Sequence, residues 1–418
     1  MSRPPPSPRA ALVRPIGRIA GLALLVAVGV NGVRAAADEP LVLFRQATDG
    51  VHTFRIPGVA VTARGTVLVW CEARRLRAAD RGEIEIHIRR STDGGRSFSP
   101  PRQVAHRGPR LPRNPHLPAG KIGKDLGGPD EQTVNNAVGV ALRDGRVLLV
   151  YCVEYARVFV ITSDDDGVTW SVPVEITGAA AALRPRIEWQ AVATGPGHGI
   201  ETSAGRVVVP LWLADYAFAP GERTVAKGAA TIVSDDRGAT WQGGDLAIPG
   251  GNEAAVAELS SGRVLLTARN TGPRNRRLAA TSPDGARDWS VSFFIDDLPE
   301  WGCSAGLVRH PGTARHPGPW LLHSAPDTGQ RVHRARRDVS LWISRDDGIT
   351  WPTRRLLRAG PSAYSDLAVL LDGTILCVLE TGLPGVGQQD GSDRPWAYAA
   401  IAIVRADLDE FLATPPAR

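Results

Sequence analysis

Cysteine is scarce in this chain of 418 residues: there are four, Cys71, Cys152, Cys303 and Cys377. No two of them form a C-x-x-C pair, which removes the usual zinc and dithiol signatures. Three lie in apolar, strand-like runs, the setting of a buried free thiol; a disulfide stays open as the alternative for an exported chain. Clusters of His, Cys, Asp and Glu at metal-ligand spacing are also lacking, so neither a metal nor a cofactor is expected. Apolar runs long enough to span a membrane are missing as well. The run from Ile19 to Val30 follows Arg14 and Arg18 and precedes Ala35-Ala36-Ala37. That is the order of a secretory signal, with cleavage after Ala37. Residues 1–37 are therefore expected to be a signal and 38–418 a single folded domain, secreted or periplasmic; an uncleaved anchor is the alternative. A genuine excess of positive charge is absent too. The formal charge is +6, but residues 1–37 hold five arginines and no acid, leaving 44 basic side chains against 43 acidic ones. Nothing in that balance calls for a nucleic-acid partner.

What the chain does have is glycine (45), proline (33) and many short β-branched runs, the composition of an all-β protein. It also has a repeat. Ser163–Trp170, Ser234–Trp241 and Ser344–Trp351 share the pattern Ser-x-Asp-x-Gly-x-Thr-Trp; Ser91–Phe98 has Phe for Trp, and Ser282–Trp289 is a looser copy. The Asp can accept hydrogen bonds from turn amides, the Gly takes a positive φ, and the aromatic ring packs beneath the turn. Five copies announce a repeat architecture.

Between the boxes lies a second theme, a hairpin whose second strand opens on glycine: Gly65, Gly145, Gly205, Gly262, Gly318 and Gly373, spaced by 80, 60, 57, 56 and 55 residues. Six hairpins at that period, the first five followed by a third strand and a box and the sixth by the strand-like run Ala397–Val404 without a box, read as a six-bladed β-propeller of four-stranded antiparallel blades. The early strand Leu41–Arg45 could complete the last blade. Strand counting puts the Asp boxes at one end of the blades. The other end collects residues that precede first strands, follow second strands or precede third strands: Arg55, Glu72, Arg74, Asp80, Asn136, Glu154, Glu253, Arg269, Arg336, Tyr364 and Glu380.

Phe54-Arg55-Ile56-Pro57 ahead of several Asp boxes resembles the bacterial exo-α-sialidases (neuraminidases). So do Gly195-Pro196-Gly197-His198-Gly199-Ile200, Asn252-Glu253, Thr267-Ala268-Arg269-Asn270, and Ala363–Leu367 followed by Glu380. The likeness covers nearly all of residues 40–405. It implies an enzyme that removes terminal α-linked sialic acid from glycoproteins, glycolipids or oligosaccharides. Arg55, Arg269 and Arg336 then resemble the triad that holds the substrate carboxylate, with Arg337 a second candidate for the third place. Guanidinium forks suit that task because they bind carboxylate bidentately and keep their charge. Glu380 would orient Arg55, and Arg74 and Asn136 would contact the sugar, although the family has Asn-Pro where this chain has Asn136-Ala137. Glu72 and Glu154 could frame the same pocket.

Tyr364 resembles the family's nucleophile, Glu253 its base and Asp80 the acid/base. The chemistry explains the phenol. A carboxylate nucleophile would meet the sugar's own carboxylate at a repulsion of roughly 4 kcal/mol, for ~4 Å and an effective dielectric of 20. A neutral phenol avoids this. The loop Arg77–Gly82 that carries Asp80 is rich in Arg and Ala where the family has small polar residues, so leaving-group preference could differ. A trans-sialidase, a hydrolase of another nonulosonic acid and a non-catalytic glycan-binding propeller are the alternatives.

Overall fold

The computed structural model describes Met1 and residues 40–105, 109–115, 128–215, 226–270, 272–327, 336–387 and 396–413; the signal-like stretch lies outside them. Strands dominate, with two short helices among the described residues, Thr177–Ala181 and Leu408–Ala413. None is long and apolar enough to cross a membrane.

Antiparallel meanders of four strands follow one another along the chain. Blade 1 is Thr53–Val61, Val67–Arg74, Ile84–Ser91 and Arg102–Gln103; blade 2 is Val134–Ala141, Val147–Val153, Arg157–Ser163 and Val174–Glu175. Blade 3 holds Val207–Asp215, Ala226–Ser234 and Gln242–Pro249, and its innermost strand is broken into Ala191–Thr194 and Ile200–Glu201. Blade 4 is Gly251–Glu258, Val264–Asn270, Arg276–Ser282 and Phe293–Pro299. The 17-residue strand Thr353–Val369 serves two blades. Its first part pairs with Arg337–Ser344 and closes blade 5, after Gly306–Gly312 and Pro317–Pro326; its second part pairs with Ile375–Thr381 and opens blade 6. Blade 6 ends on Ala400–Ala406, and Leu41–Arg45 pairs antiparallel with that strand. The described residues thus form six four-stranded groups, a propeller in which the two ends of the domain share one blade. The six inner strands surround a common axial cavity of about 300 Å³, lined by residues such as Val59, Gly139, His198, Val256, Leu307 and Leu367.

The apolar faces pack between neighbouring blades. Leu43 and Phe44 of the closing strand join Val67, Val69, Leu376, Val378, Ile401 and Ile403 in one buried cluster. All four cysteines are buried free thiols.

The boxes act as the sequence suggests, and they also do more. In Ser163–Trp170, Asp165 accepts from the Thr169 amide at 2.8 Å and its hydroxyl at 2.6 Å, while Ser163 Oγ accepts from the Gly167 amide at 2.8 Å. The box of one blade also docks on the first hairpin turn of the blade before it. Thr66 Oγ1 donates to Asp166 at 3.3 Å, Arg237 to Asp144 at 2.9 Å, Arg206 to Asp284 at 2.7 Å, and the Ser260 amide to Asp347 at 3.1 Å. The boxes therefore lie at the first-hairpin-turn end, away from the starts of the first strands.

One expectation about local structure is corrected. The sequence reading starts the first strands after Arg55, Asn136, Glu253 and Tyr364. In the structure those residues lie inside the strands, at bulges: pairing skips from Arg55 to Gly58, Asn135 to Val138, Gly251 to Ala254 and Ser362 to Ser365. Each bulge leaves two residues without a ladder partner and turns their side chains away from the sheet alternation. Ile56 and Asn136 occupy the left-handed region, at φ 59° and 53°, a costly conformation for a β-branched residue such as Ile56.

Candidate active site

The four bulges stand around one end of the axis, and their side chains converge. Tyr364 is buried, and its hydroxyl lies 2.6 and 2.7 Å from the two Glu253 carboxylate oxygens. Arg269 Nη1 donates to the Tyr364 hydroxyl at 3.0 Å and to Glu253 Oε2 at 2.9 Å. Burial and then the Glu253 carboxylate push the Tyr364 phenol well above its ordinary range, against the pull of Arg269 and Arg336. The hydroxyl is therefore a neutral donor to Glu253.

Glu380, fully buried, organises the blade 6 side. Its Oε1 accepts from Arg55 Nε at 2.6 Å and from the Ile56 amide at 2.9 Å; its Oε2 accepts from the Tyr364 amide at 3.1 Å. One carboxylate thus ties the Arg55 bulge to the Tyr364 bulge. The guanidinium carbons of Arg55 and Arg336 lie 5.3 and 5.2 Å from the Tyr364 ring centre, so three arginines surround this tyrosine. Arg55 is offset by Glu380 and Arg269 by Glu253. Arg336 makes no ion pair among the described residues: it donates to Tyr398 Oη at 2.6 Å and to the Gly302 carbonyl at 2.7 Å. The arginine group therefore carries an excess of positive charge suited to an anion. Of the two candidates for the third position, Arg336 faces this group, whereas Arg337 is half exposed and pairs with Asp338 at 2.7 Å.

On the blade 1 side, buried Arg74 donates to Glu72 Oε2 at 2.7 and 3.0 Å and to Asp80 Oδ1 at 2.8 Å. Asp80 reaches into the open mouth with its side chain 73% exposed, 4.0 Å from Arg55 Nη1. Enclosure by its neighbours favours the neutral carboxyl, but Arg74 and then Arg55 outweigh it and hold Asp80 down at about 2. Glu72 Oε1 accepts from the Asn136 amide at 2.9 Å, so Glu72 is a strut beneath Arg74 and Asn136. Asn136 spends its own side chain on Asn135 Nδ2 at 2.8 Å and the Thr194 carbonyl at 3.3 Å. Glu154 is buried and accepts from the Thr133 amide at 2.7 Å.

A cavity of about 300 Å³ is lined by Asp80, Arg74, Asn136, Glu253, Arg269 and Tyr364, together with Ile56, Arg81, Tyr155, Trp212, Lys227 and Asn252. Several of these, and Tyr398 against Arg55, the sequence reading misses. Tyr155 donates from its hydroxyl to the Asp80 carbonyl at 3.2 Å and so steadies that loop; its neighbour Glu154 was the only hint. Tyr398 stacks under Arg55, with the guanidinium carbon 3.9 Å from its ring centre. It precedes a third strand, so the strand count could have found it. Lys227 sits at the start of a third strand, so the same count could have found it, although no motif marks it.

A family model described as a BNR repeat-like domain matches residues 123–377. The chain belongs to the BNR repeat-like family. This BNR-repeat propeller is 28% identical over 352 residues to a sialidase of Micromonospora viridifaciens, covering 80% of this chain and 50% of that protein. It is 29% identical over 370 residues to a sialidase of Bacteroides fragilis, covering 84% of this chain and 62% of that protein. It therefore spans half to three fifths of the length of these relatives. Among solved structures it resembles the Hadza microbial sialidase Hz136, with TM-score 0.71, 25% identity, and coverage of 88% of this chain and 68% of that one.

Proposed function

We propose that the protein is a retaining exo-α-sialidase that removes terminal α-linked sialic acids from glycoproteins, glycolipids or oligosaccharides. The observation that carries this reading is a neutral tyrosine hydroxyl held by both oxygens of Glu253 beneath three arginines. That arrangement suits a sugar whose reacting carbon bears a carboxylate. The sialidase names of the relatives support it.

In the proposed scheme Arg55, Arg269 and Arg336 take the sugar carboxylate, which places the anomeric carbon over Tyr364. Asp80 donates a proton to the glycosidic oxygen as that C–O bond breaks. The Tyr364 oxygen bonds to the anomeric carbon while its proton passes to Glu253. Water then gives a proton to Asp80 and attacks the same carbon. The tyrosyl C–O bond breaks, and Glu253 returns the proton to Tyr364. Two displacements at one carbon retain its configuration. In the same reading residues 1–37 export the chain.

The test is incubation of the purified protein with sialyllactose and assay of free sialic acid, with anomeric configuration followed by NMR. Release with retention is expected. Tyr364→Phe should lose most turnover while still binding the sugar. No release by the folded protein, or normal hydrolysis by Tyr364→Phe, would overturn the reading.

A further inference from the structure

Gly195-Pro196-Gly197-His198-Gly199-Ile200 contributes nothing to the chemistry above, yet it occupies the centre of the ring. It interrupts the innermost strand of blade 3 and passes through the axis. Gly197 and His198 pair in parallel with Val138 and Gly139 of blade 2. The Gly195 amide donates to Pro210 of blade 3 at 2.8 Å, and its carbonyl accepts from the Ala254 amide of blade 4 at 3.0 Å. His198 Nδ1 lies 2.7 Å from Asp366 Oδ1 of blade 6. The other Asp366 oxygen accepts from the Val59 amide of blade 1 at 3.0 Å. Leu307 of blade 5 lines the same axial cavity as the imidazole. Six consecutive residues and one carboxylate therefore bond to five of the six blades. Burial opposes a charge on this imidazole, but the Asp366 carboxylate at Nδ1 outweighs it and raises the imidazole pKa, which favours the imidazolium. Glycine is required beside it: a Cβ on Gly197, at φ +107°, would lie 3.2 Å from the Asp366 carboxyl.

The points this segment grips adjoin the bulges. Ala254 directly follows Glu253, Asp366 is two residues after Tyr364, Val138 is two after Asn136, and Val59 is four after Arg55. Tyr364 and Glu253 belong to different blades, and nothing in either blade's own ladder sets the distance between them. We propose that His198, acting through Asp366, is a positioning residue that fixes Tyr364 against Glu253 across the axis. The proposal rests on the catalytic roles given above. It predicts that loosening the axis costs turnover more than substrate capture, because Arg55 is held by Glu380 and Arg336 by Tyr398 and the Gly302 carbonyl, and only Arg269 shares the Tyr364–Glu253 contact.

The test uses the full chain with His198→Leu, His198→Asn and Asp366→Asn, each checked for folding by thermal melting. His198→Leu removes the ring donor to Asp366 and should lower kcat on sialyllactose about 10²-fold, with KM within about twofold, as expected for a misplacement near 1 Å. His198→Asn keeps a donor toward Asp366 and should recover most of that loss. Asp366→Asn keeps the shape and loses the charge; it should lower kcat about tenfold, and it decides the matter if His198→Leu does not fold. A second readout is independent of turnover: ultraviolet titration of Tyr364, isolated as the difference between each protein and its Tyr364→Phe counterpart. Burial first and then the Glu253 contact raise the phenol, so loosening them in His198→Leu should ionise Tyr364 at lower pH than the parent. Wild-type kcat in folded His198→Leu or Asp366→Asn overturns the proposal, and so does an unchanged Tyr364 titration. If the parent protein releases no sialic acid, the catalytic reading fails, and the titration alone then decides whether His198 positions Tyr364.

Discussion

Asp80 must carry a proton to act as an acid, and in the free protein Arg74 and Arg55 hold its carboxyl ionised at about 2. The conflict resolves when substrate arrives. Arg55 and Arg336 both favour the ionised form of Asp80, and both belong to the group proposed to take the substrate carboxylate. That incoming negative charge offsets them and raises the proton affinity of Asp80. The pH profile of kcat, which reports the complex, should therefore show an alkaline limb well above 2, with kcat falling as pH rises through it. An NMR titration of Asp80 in the free protein supplies the comparison; coincidence of the two values would remove the argument. Asp80→Asn should slow release from sialyllactose about 10²–10⁴-fold and act far less on a nitrophenyl glycoside, whose leaving group needs no proton. Arg336 and Arg337 part company in the same way. Arg336→Ala should lower kcat/KM about 10²-fold or more, because it removes a half-buried charge from the anion site, whereas Arg337→Ala should stay within about twofold. At this scale the sequence shows residue types and leaves their partners hidden. Asp80 stands between Arg77 and Arg81 in the chain, yet its ion pair is with Arg74, while Arg77 pairs with Glu131.

Strands were legible because their apolar alternation and opening glycines are local signals. The bulges were not, because a two-residue skip is a property of the register between two strands, and nothing in Arg55-Ile56-Pro57 or Asn252-Glu253 reports it alone. Glycine inside the inner strands has an equally non-local reason. A Cβ on Gly58 would lie 2.4 Å from the Trp70 indole, and one on Gly139 would lie 2.3 Å from it. Trp70 is thus wedged between the inner strands of blades 1 and 2, and its Nε1 donates to the Ala137 carbonyl, inside the Asn136 bulge, at 3.2 Å. Gly139→Ala should overpack this junction at a cost of about 1–3 kcal/mol, seen as a lower melting midpoint. In a Trp70→Phe background the same substitution should cost less, since the clashing ring atoms are gone. Additivity of the two changes would show that the wedge is not the cause.

Over the whole molecule, stability and chemistry are assigned to opposite ends of the same blades. The Asp boxes lock turns at one end and hold blades 2 to 5 each to its predecessor. The bulges present the side chains of the candidate site at the other. Repetition made the first end readable from the sequence, since five similar boxes announce themselves, whereas each residue of the candidate site occurs once. The division can be tested at Asp165. Hydrogen bonds from the Thr169 hydroxyl and amide, with that from Ser163, hold its carboxyl at about 2, below an ordinary aspartate value of about 3.9 in the unfolded chain. A carboxyl depressed on folding contributes stability above its unfolded value and loses it as pH falls through the folded one. Asp165→Ala should therefore destabilise the fold at pH 7 by about 1 kcal/mol for each hydrogen bond lost, seen as a lower melting midpoint. The deficit should shrink steadily as the pH is lowered from about 4 to about 2, where the parent carboxylate itself is protonated. Throughout, kcat and KM on sialyllactose should match the parent at temperatures below both transitions. A change in kcat larger than the change in stability would mean that the box end reaches the mouth of the propeller after all, and that the separation of the two ends is incomplete.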